Sequence, residues 1–160
     1  MLGGMQSHEL RVTDIIDHAA REAGDRAIVT YWADGRLQRS NWAGVATLAH
    51  KLASKLSQLG WNKADRVGTL AMNHLHHLAT YYGAAGAGGV VHTVNPRLSA
   101  EHVIYIVNHA EDRVFFFDAM FRPIVDKLKD QMPCVEHFVC FDSDCGGDYG
   151  LNGRGRLSCP

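Results

Sequence analysis

The sequence predicts an α/β fold: a mostly parallel sheet with crossover helices, preceded by an N-terminal helix and a hairpin. Three observations carry that reading. Between residues 65 and 118 the segments DRVGTLAMN, a Leu/Tyr-rich helix, VVHTV, a second helix and DRVFFFD follow in order, and such alternation implies parallel pairing. The runs VVHTV and VFFFD are nearly continuous in apolar side chains, as expected where helices cover both faces of a sheet. Upstream, Asp34 and Gly35 separate AIVTYW from LQRSNW, which is the pattern of a β-hairpin.

Each element has its own local cause. Thr13 is placed to cap a first helix that carries Ile15, Ile16, Ala19 and Ala20 on one side and stops at Gly24. After the hairpin, Ser40 or Asn41 opens a long helix in which Val45, Leu48, Ala49, Leu52, Leu56 and Leu59 recur at spacings of three and four, up to Gly60. Strand RVGTLA then leads to a helix over 73–86, VVHTV to a helix over 99–109, and VFFFD to a short helix over 123–129 before strand HFVCF. Their apolar density assigns VVHTV and VFFFD to the central sheet. Past Phe141 the segment DSDCGGDYGLNGRGRLSCP is Gly-rich and without period, so residues 142–160 are expected to form a disordered tail outside the 1–141 unit.

Bulk properties narrow the function classes. A chain of 160 residues suits one domain, able to bury about 70% of its unfolded surface. The formal net charge of −1, with acids and bases interspersed, leaves no electrostatic footprint for nucleic acid or an anionic membrane. No secretory leader and no apolar run near the ~20 residues of a transmembrane segment is present, so a cytoplasmic protein is expected. The four cysteines, Cys134, Cys140, Cys145 and Cys159, come late and form no CxxC pair, and Cys134 and Cys140 are read as reduced.

Several residue groups invite a chemical reading. Gly83, Gly86, Gly88 and Gly89 imitate a nucleotide loop, but a phosphate loop follows a strand and opens a helix, whereas this run closes a helix and enters a strand. Helix termination and close packing account for it. His74, His76 and His77 are dense in imidazole, yet no carboxylate or cysteine partner is indicated; they are read as solvated residues of a first helical turn, and no metal is expected. Of Asp65, Asp112 and Asp118, only Asp118 follows its strand, and one carboxylate does not make the acidic pocket of a receiver domain. His92, Asn95 and Arg97 in VVHTVNPRL stand where a parallel strand ends, the place where open α/β sheets gather ligands, and they form the candidate edge of a binding cleft. The alternative is a loop shaped by Pro96, with Asn95 and Ser99 as caps. GxSxG and HExxH do not occur.

The hairpin, the helix running into Tyr81-Tyr82-Gly83, the HTVNPRL loop and YIVNHAEDRVFFFD occur in an order that resembles the N-terminal part of AMP-forming acyl-CoA synthetases, closest to medium- and long-chain fatty-acid CoA ligases. The resemblance covers about residues 10–141 and implies an incomplete N-terminal subdomain of the adenylate-forming enzyme fold. It implies a complete enzyme that uses ATP and Mg²⁺ to make an acyl-adenylate from a fatty acid and passes it to coenzyme A. The family's phosphate loop with its lysine and its mobile lid find no counterpart here, so no catalytic residue carries over and this chain alone is expected to be inert, with no cofactor of its own. The tail departs from the family pattern, as a frameshift or early stop would produce. A homodimer, or docking on a full-length synthetase through the N-terminal region, is the partner expectation; a non-catalytic α/β binding module is the alternative.

Overall fold

A computed structural model describes residues 3–4, 7–32 and 34–141 of the chain; the expected tail over 142–160 lies outside them. Helix α1 (Val12–Ala23) begins one residue before Thr13, with Arg11 at the N-cap and no side-chain cap. Arg11 takes over the start in another way. Its carbonyl accepts the Asp14 N–H at 3.1 Å, while its guanidinium pairs with the Asp14 carboxylate at 3.0 Å, so acid and helix dipole are matched without a hydroxyl cap. Strands β1 (Ala27–Tyr31) and β2 (Leu37–Asn41) pair antiparallel as the hairpin pattern predicts. Helix α2 (Trp42–Gln58) follows at once, and Asn41 caps it by accepting the Gly44 N–H at 2.8 Å.

The second half alternates. Strand β3 (Arg66–Leu70), helix α3 (Leu75–Gly86), strand β4 (Val90–Thr93), helix α4 (Ala100–Ala110), strand β5 (Asp112–Phe117), helix α5 (Arg122–Leu128) and strand β6 (His137–Cys140) complete the described chain. The four strands form a fully parallel sheet in the order β4-β3-β5-β6. Both VVHTV and VFFFD lie in this sheet, as expected, but at different places in it. VFFFD is central, with Phe115, Phe116 and Phe117 all at 0% exposure, but VVHTV is an edge strand whose Val90 is 49% exposed. The two runs look alike in sequence; only the number of pairing neighbours separates them. Cys140 is also corrected: it is disulfide-bonded, whereas Cys134 is free. The reduced reading rested on the absence of a CxxC pair and of an extracellular context, and neither reports which sulfurs the fold brings together.

Helices cover both sheet faces. On one, Leu52 and Leu56 of α2 and Ala84 of α3 pack on Val67, Val114, Phe116 and Val139. On the other, Val103 and Val107 of α4 and Val125 and Leu128 of α5 pack on Leu70, Phe115 and Phe117. A third cluster joins Ile16 of α1 to Val45 and Leu48 of α2 and Leu75 and Ala79 of α3, which seats the N-terminal helix outside the α2–α3 layer. At the amino ends of the strands, Arg113 grips Glu136 through two contacts of 2.9 and 2.8 Å, also binds Asp65, and lies over the Trp61 ring. That junction fastens β5, β6 and the α2–β3 connection together.

Gly83 sets the distance between α2 and α3. A Cβ there would stand 2.7 Å from the Ala49 carbonyl oxygen and 3.0 Å from the Leu52 Cβ, so the helix backbones meet without room for a methyl group. Gly83→Ala is expected to lower unfolding free energy by about 1–3 kcal/mol. Gly86→Ala, whose Cβ would meet nothing closer than 3.4 Å, should stay within about 1 kcal/mol of the parent or gain slightly. Urea unfolding of the two variants checks the contrast.

Candidate functional site

The carboxyl ends of β3, β5 and β6 converge on one polar residue. Asp118 follows β5 directly, is 4% exposed, and accepts two hydrogen bonds at 2.7 Å, one from the Met72 N–H and one from His74 Nε2. His74 is the N-cap of α3, and its Nδ1 accepts the His77 N–H at 3.2 Å. That partner set fixes the tautomer: Nδ1 is the acceptor and the proton sits on Nε2, facing Asp118. The hairpin adds a further cap, since the Thr30 hydroxyl accepts the Leu75 N–H at 3.2 Å. Trp32 stacks on the His74 ring with centroids 4.8 Å apart, and Phe141, just after β6, meets its edge at 5.1 Å.

The solvated reading of the histidines therefore fails for two of the three. His74 is buried, and His77 bridges the Met72 carbonyl (Nδ1, 3.1 Å) and the Thr69 hydroxyl (Nε2, 3.0 Å). Burial holds the His77 pKa below its ordinary 6.5, with the His74 ring adding to that and the Met72 carbonyl and Asp118 opposing. His77 is thus a neutral bridge that donates from Nδ1 and accepts at Nε2. A short polar side chain at the N-cap is the common solution, and an imidazole serves here because the carboxylate of Asp118, 44 residues away and just past β5, completes it. No signal in the local sequence shows that distant partner.

The candidate cleft-edge residues separate. His92 lies within β4, and its Nδ1 donates to the Asp112 carboxylate at 2.8 Å. Asp112 belongs to β5, and the pair spans the strand between them because Gly68 of β3 carries no side chain: a Cβ there would sit 2.7 Å from Asp112 Oδ2 and 2.6 Å from Phe115. Asp112 is wholly buried, and its second oxygen has no partner. The hydrogen bond to Asp112 raises the His92 pKa, and burial opposes it. Asn95 and Arg97 are exposed in the loop after β4, where the Asn95 side-chain oxygen accepts the Arg97 N–H at 2.9 Å.

The capacity to hold a nucleotide or metal can be tested on the donors themselves. In the Gly-rich run the N–H groups of Ala87, Gly88 and Gly89 are already taken by the carbonyls of Gly83, Ala85 and Ala84 at 2.8–3.0 Å, so they do not form an anion cradle. Among the described residues no group of three His, Cys, Asp or Glu side chains is placed to share a metal ion. Both ring nitrogens of His74 and of His77 are engaged. The Gly-rich run therefore offers no free backbone donors to a phosphate at Ala87, Gly88 or Gly89.

A parallel sheet covered on both faces by helices is the fold this chain shares with solved N-terminal domains of adenylate-forming enzymes. The profile of the family described as AMP-binding enzyme matches residues 16–153, and the chain belongs to that family. It is 50% identical over 139 residues to a 3-methylmercaptopropionyl-CoA ligase of Ruegeria lacuscaerulensis, covering 87% of this chain and 26% of that protein. It is 42% identical over 139 residues to a medium-chain-fatty-acid–CoA ligase of Ectopseudomonas oleovorans, with the same coverage of 87% and 26%. A solved fatty acyl CoA synthetase of Mycobacterium tuberculosis superposes with a TM-score of 0.69 at 26% identity, over 83% of this chain and 27% of that one. The chain thus spans about a quarter of the length of the curated relatives it matches.

The two perturbed histidines should shape stability in opposite directions. His92, with its pKa raised by the fold, gives stability that is full below 6.5 and lost as pH rises through its folded value. His77, with its pKa lowered, gives stability that is present above 6.5 and lost as pH falls through its folded value. Denaturation midpoints followed across this range should lose the basic-side decline in His92→Gln and the acid-side decline in His77→Gln.

Proposed function

We propose that this chain is the N-terminal part of an ATP-dependent fatty-acid CoA ligase and that it is catalytically inert alone. What supports the reading is the unbroken match to proteins named as acyl-CoA ligases, across nearly all of the described residues, joined to a fold in which the carboxyl strand ends carry the polar junction. In the complete enzyme, ATP with Mg²⁺ activates a fatty carboxylate as an acyl-adenylate, and coenzyme A releases it as a thioester. This chain's share is a scaffold and a cleft wall. The loop after β4, with Asn95 and Arg97 exposed and His92 anchoring its strand to Asp112, borders that cleft. The complete protein works in the cytoplasm; among the described residues no helix is long and apolar enough to cross a membrane.

The inert reading is supported by the Gly-rich run, whose Ala87, Gly88 and Gly89 N–H groups are engaged within the chain and do not face a transferring phosphoryl or adenylyl group.

One surface favours a second reading, in which the chain is a non-catalytic module that pairs with itself or docks on a full-length synthetase. Leu10, Val12 and Ile15 are exposed and line a concavity of about 580 Å³, ringed by His8, Arg11, Asp14 and His18 at the N-terminal end.

One measurement tests the inertness that both readings share, and a second separates them. ATP–pyrophosphate exchange by the purified chain with octanoate should stay at background while a complete fatty-acid CoA ligase turns over; measurable exchange by the chain overturns its inertness. Stoichiometric capture of a full-length synthetase, lost in Ile15→Asp, would favour the docking module over the isolated N-terminal part.

A further inference from the structure

Helix α3 is capped by a different kind of atom from α2 and α4. Asn41 and Ser99 cap those two helices through an amide oxygen and a hydroxyl, neither of which changes charge with pH. At α3 the acceptor is the imidazole nitrogen Nδ1 of His74, 3.2 Å from the His77 nitrogen. The other ring nitrogen, Nε2, carries the proton and donates to Asp118 Oδ1 at 2.7 Å. The one lone pair left on the ring is therefore the cap itself. A second proton has to go to Nδ1, where it meets the His77 N–H donor to donor.

The surroundings decide what gives way. His74 and Asp118 have side chains only 1 and 5% exposed, so a charged ring makes a full ion pair with the carboxylate almost without water. The ring itself is held in place, with Trp32 stacked on it at 4.8 Å and Phe141 at its edge at 5.1 Å. What yields is the first turn of α3, since helix ends open at little cost. Among the described residues, the other titratable or charged groups near the ring are His76 and His77 of α3, at centroid separations of 6.0 and 6.1 Å, and Arg36 of the hairpin. Arg36 reaches the Trp32 ring at 5.8 Å and is paired with Asp34. The segments after β3 and β6 bring Met72 and Phe141 to this place, neither of which titrates.

The consequence extends to the loop between β3 and α3. His77 Nδ1 donates to the Met72 carbonyl at 3.1 Å, and the Met72 N–H donates to Asp118 Oδ2 at 2.7 Å, so that loop hangs on the same two side chains that flank the His74 ring. We propose that His74 is a proton-operated latch: a proton taken from solvent onto Nδ1 breaks the cap on the His77 N–H, turns the Asp118 hydrogen bond into an ion pair, and frees the first turn of α3 together with the β3–α3 loop. Loss of that proton restores the cap. The carboxyl edge of the sheet thus has two arrangements, latched when the ring is neutral and open when it is charged.

Imidazole nitrogen shifts and amide exchange of the nitrogen-15-labelled full chain, followed from about pH 7.5 to about pH 5, test the latch. His74 Nδ1 should change from acceptor to N–H over this range, and protection of the His77 amide, taken relative to its intrinsic exchange rate at each pH, should fall about fivefold with it. The Gly44 and His102 amides, capped by Asn41 and Ser99, should keep their protection. In His74→Asn, whose capping oxygen does not titrate, the His77 amide should stay protected throughout. An Nδ1 that remains unprotonated at the acid end overturns the proposal, as does a protonated Nδ1 with His77 protection unchanged. So does a fall that persists in His74→Asn, which places the proton elsewhere, or a fall shared by Gly44 and His102, which is global unfolding. If His74→Asn does not fold, the His74 and His77 nitrogen shifts and the two control amides of the parent chain decide alone.

Discussion

The burial of three consecutive phenylalanines in β5 is the constraint from which the rest of the molecule follows. Successive strand residues face opposite sides, so Phe115 and Phe117 require a cover on one face and Phe116 on the other. No single helical layer can satisfy them. Each fully buried ring contributes roughly 2–3 kcal/mol relative to exposure, which is large against the net stability of a domain this size. Helices α4 and α5 on one side and α2 and α3 on the other are the answer, and parallel pairing is the topology that lets crossover helices alternate between the faces.

Two glycines make room for contacts that a side chain would forbid. Gly83 draws α3 against α2, and Gly68 opens a passage through which an imidazole on one strand meets a carboxylate two strands away. In both cases the missing Cβ serves proximity, not a special backbone angle. The polar side chains divide by end of the sheet: Arg113 gathers Asp65 and Glu136 at the amino ends, and Asp118 gathers Met72 and His74 at the carboxyl ends. The first junction is solvated and screened, while the second is almost wholly enclosed by Trp32 and Phe141.

Element types and order were legible because each helix writes its own period and stop: Val45 to Leu56 spaced by three and four, or Gly60 after α2. Sequence also read the glycine run correctly as helix closure, since polarity relative to the strand is a local property. What stayed hidden were relations between distant residues. VVHTV and VFFFD look alike as strings, yet one has a single neighbour and the other two. His74 reads as a solvated histidine until Asp118, 44 positions on, is seen beside it, and Thr13 reads as a cap until Arg11 is seen to do that work through Asp14. The family resemblance named the fold more firmly than periodicity could, but it carried no catalytic residue, and the grip on Met72 emerges only where the β3–α3 segment meets the end of β5.

The bridge from His92 to Asp112 also bears on how this sheet resists assembling with others. Strand β4 is an open edge with an exposed Val90, the kind of surface that recruits a foreign strand or slips along its partner. A slip of one residue would carry Val91 or Thr93 over Gly68 in place of His92, and Asp112, already holding one oxygen without a partner, would be left with two. A strand from another chain that replaced β4 against β3 and lacked an imidazole at that position would meet the same penalty. The buried Asp112 carboxylate thus acts as a password for the edge, rejecting wrong registers and substituted strands.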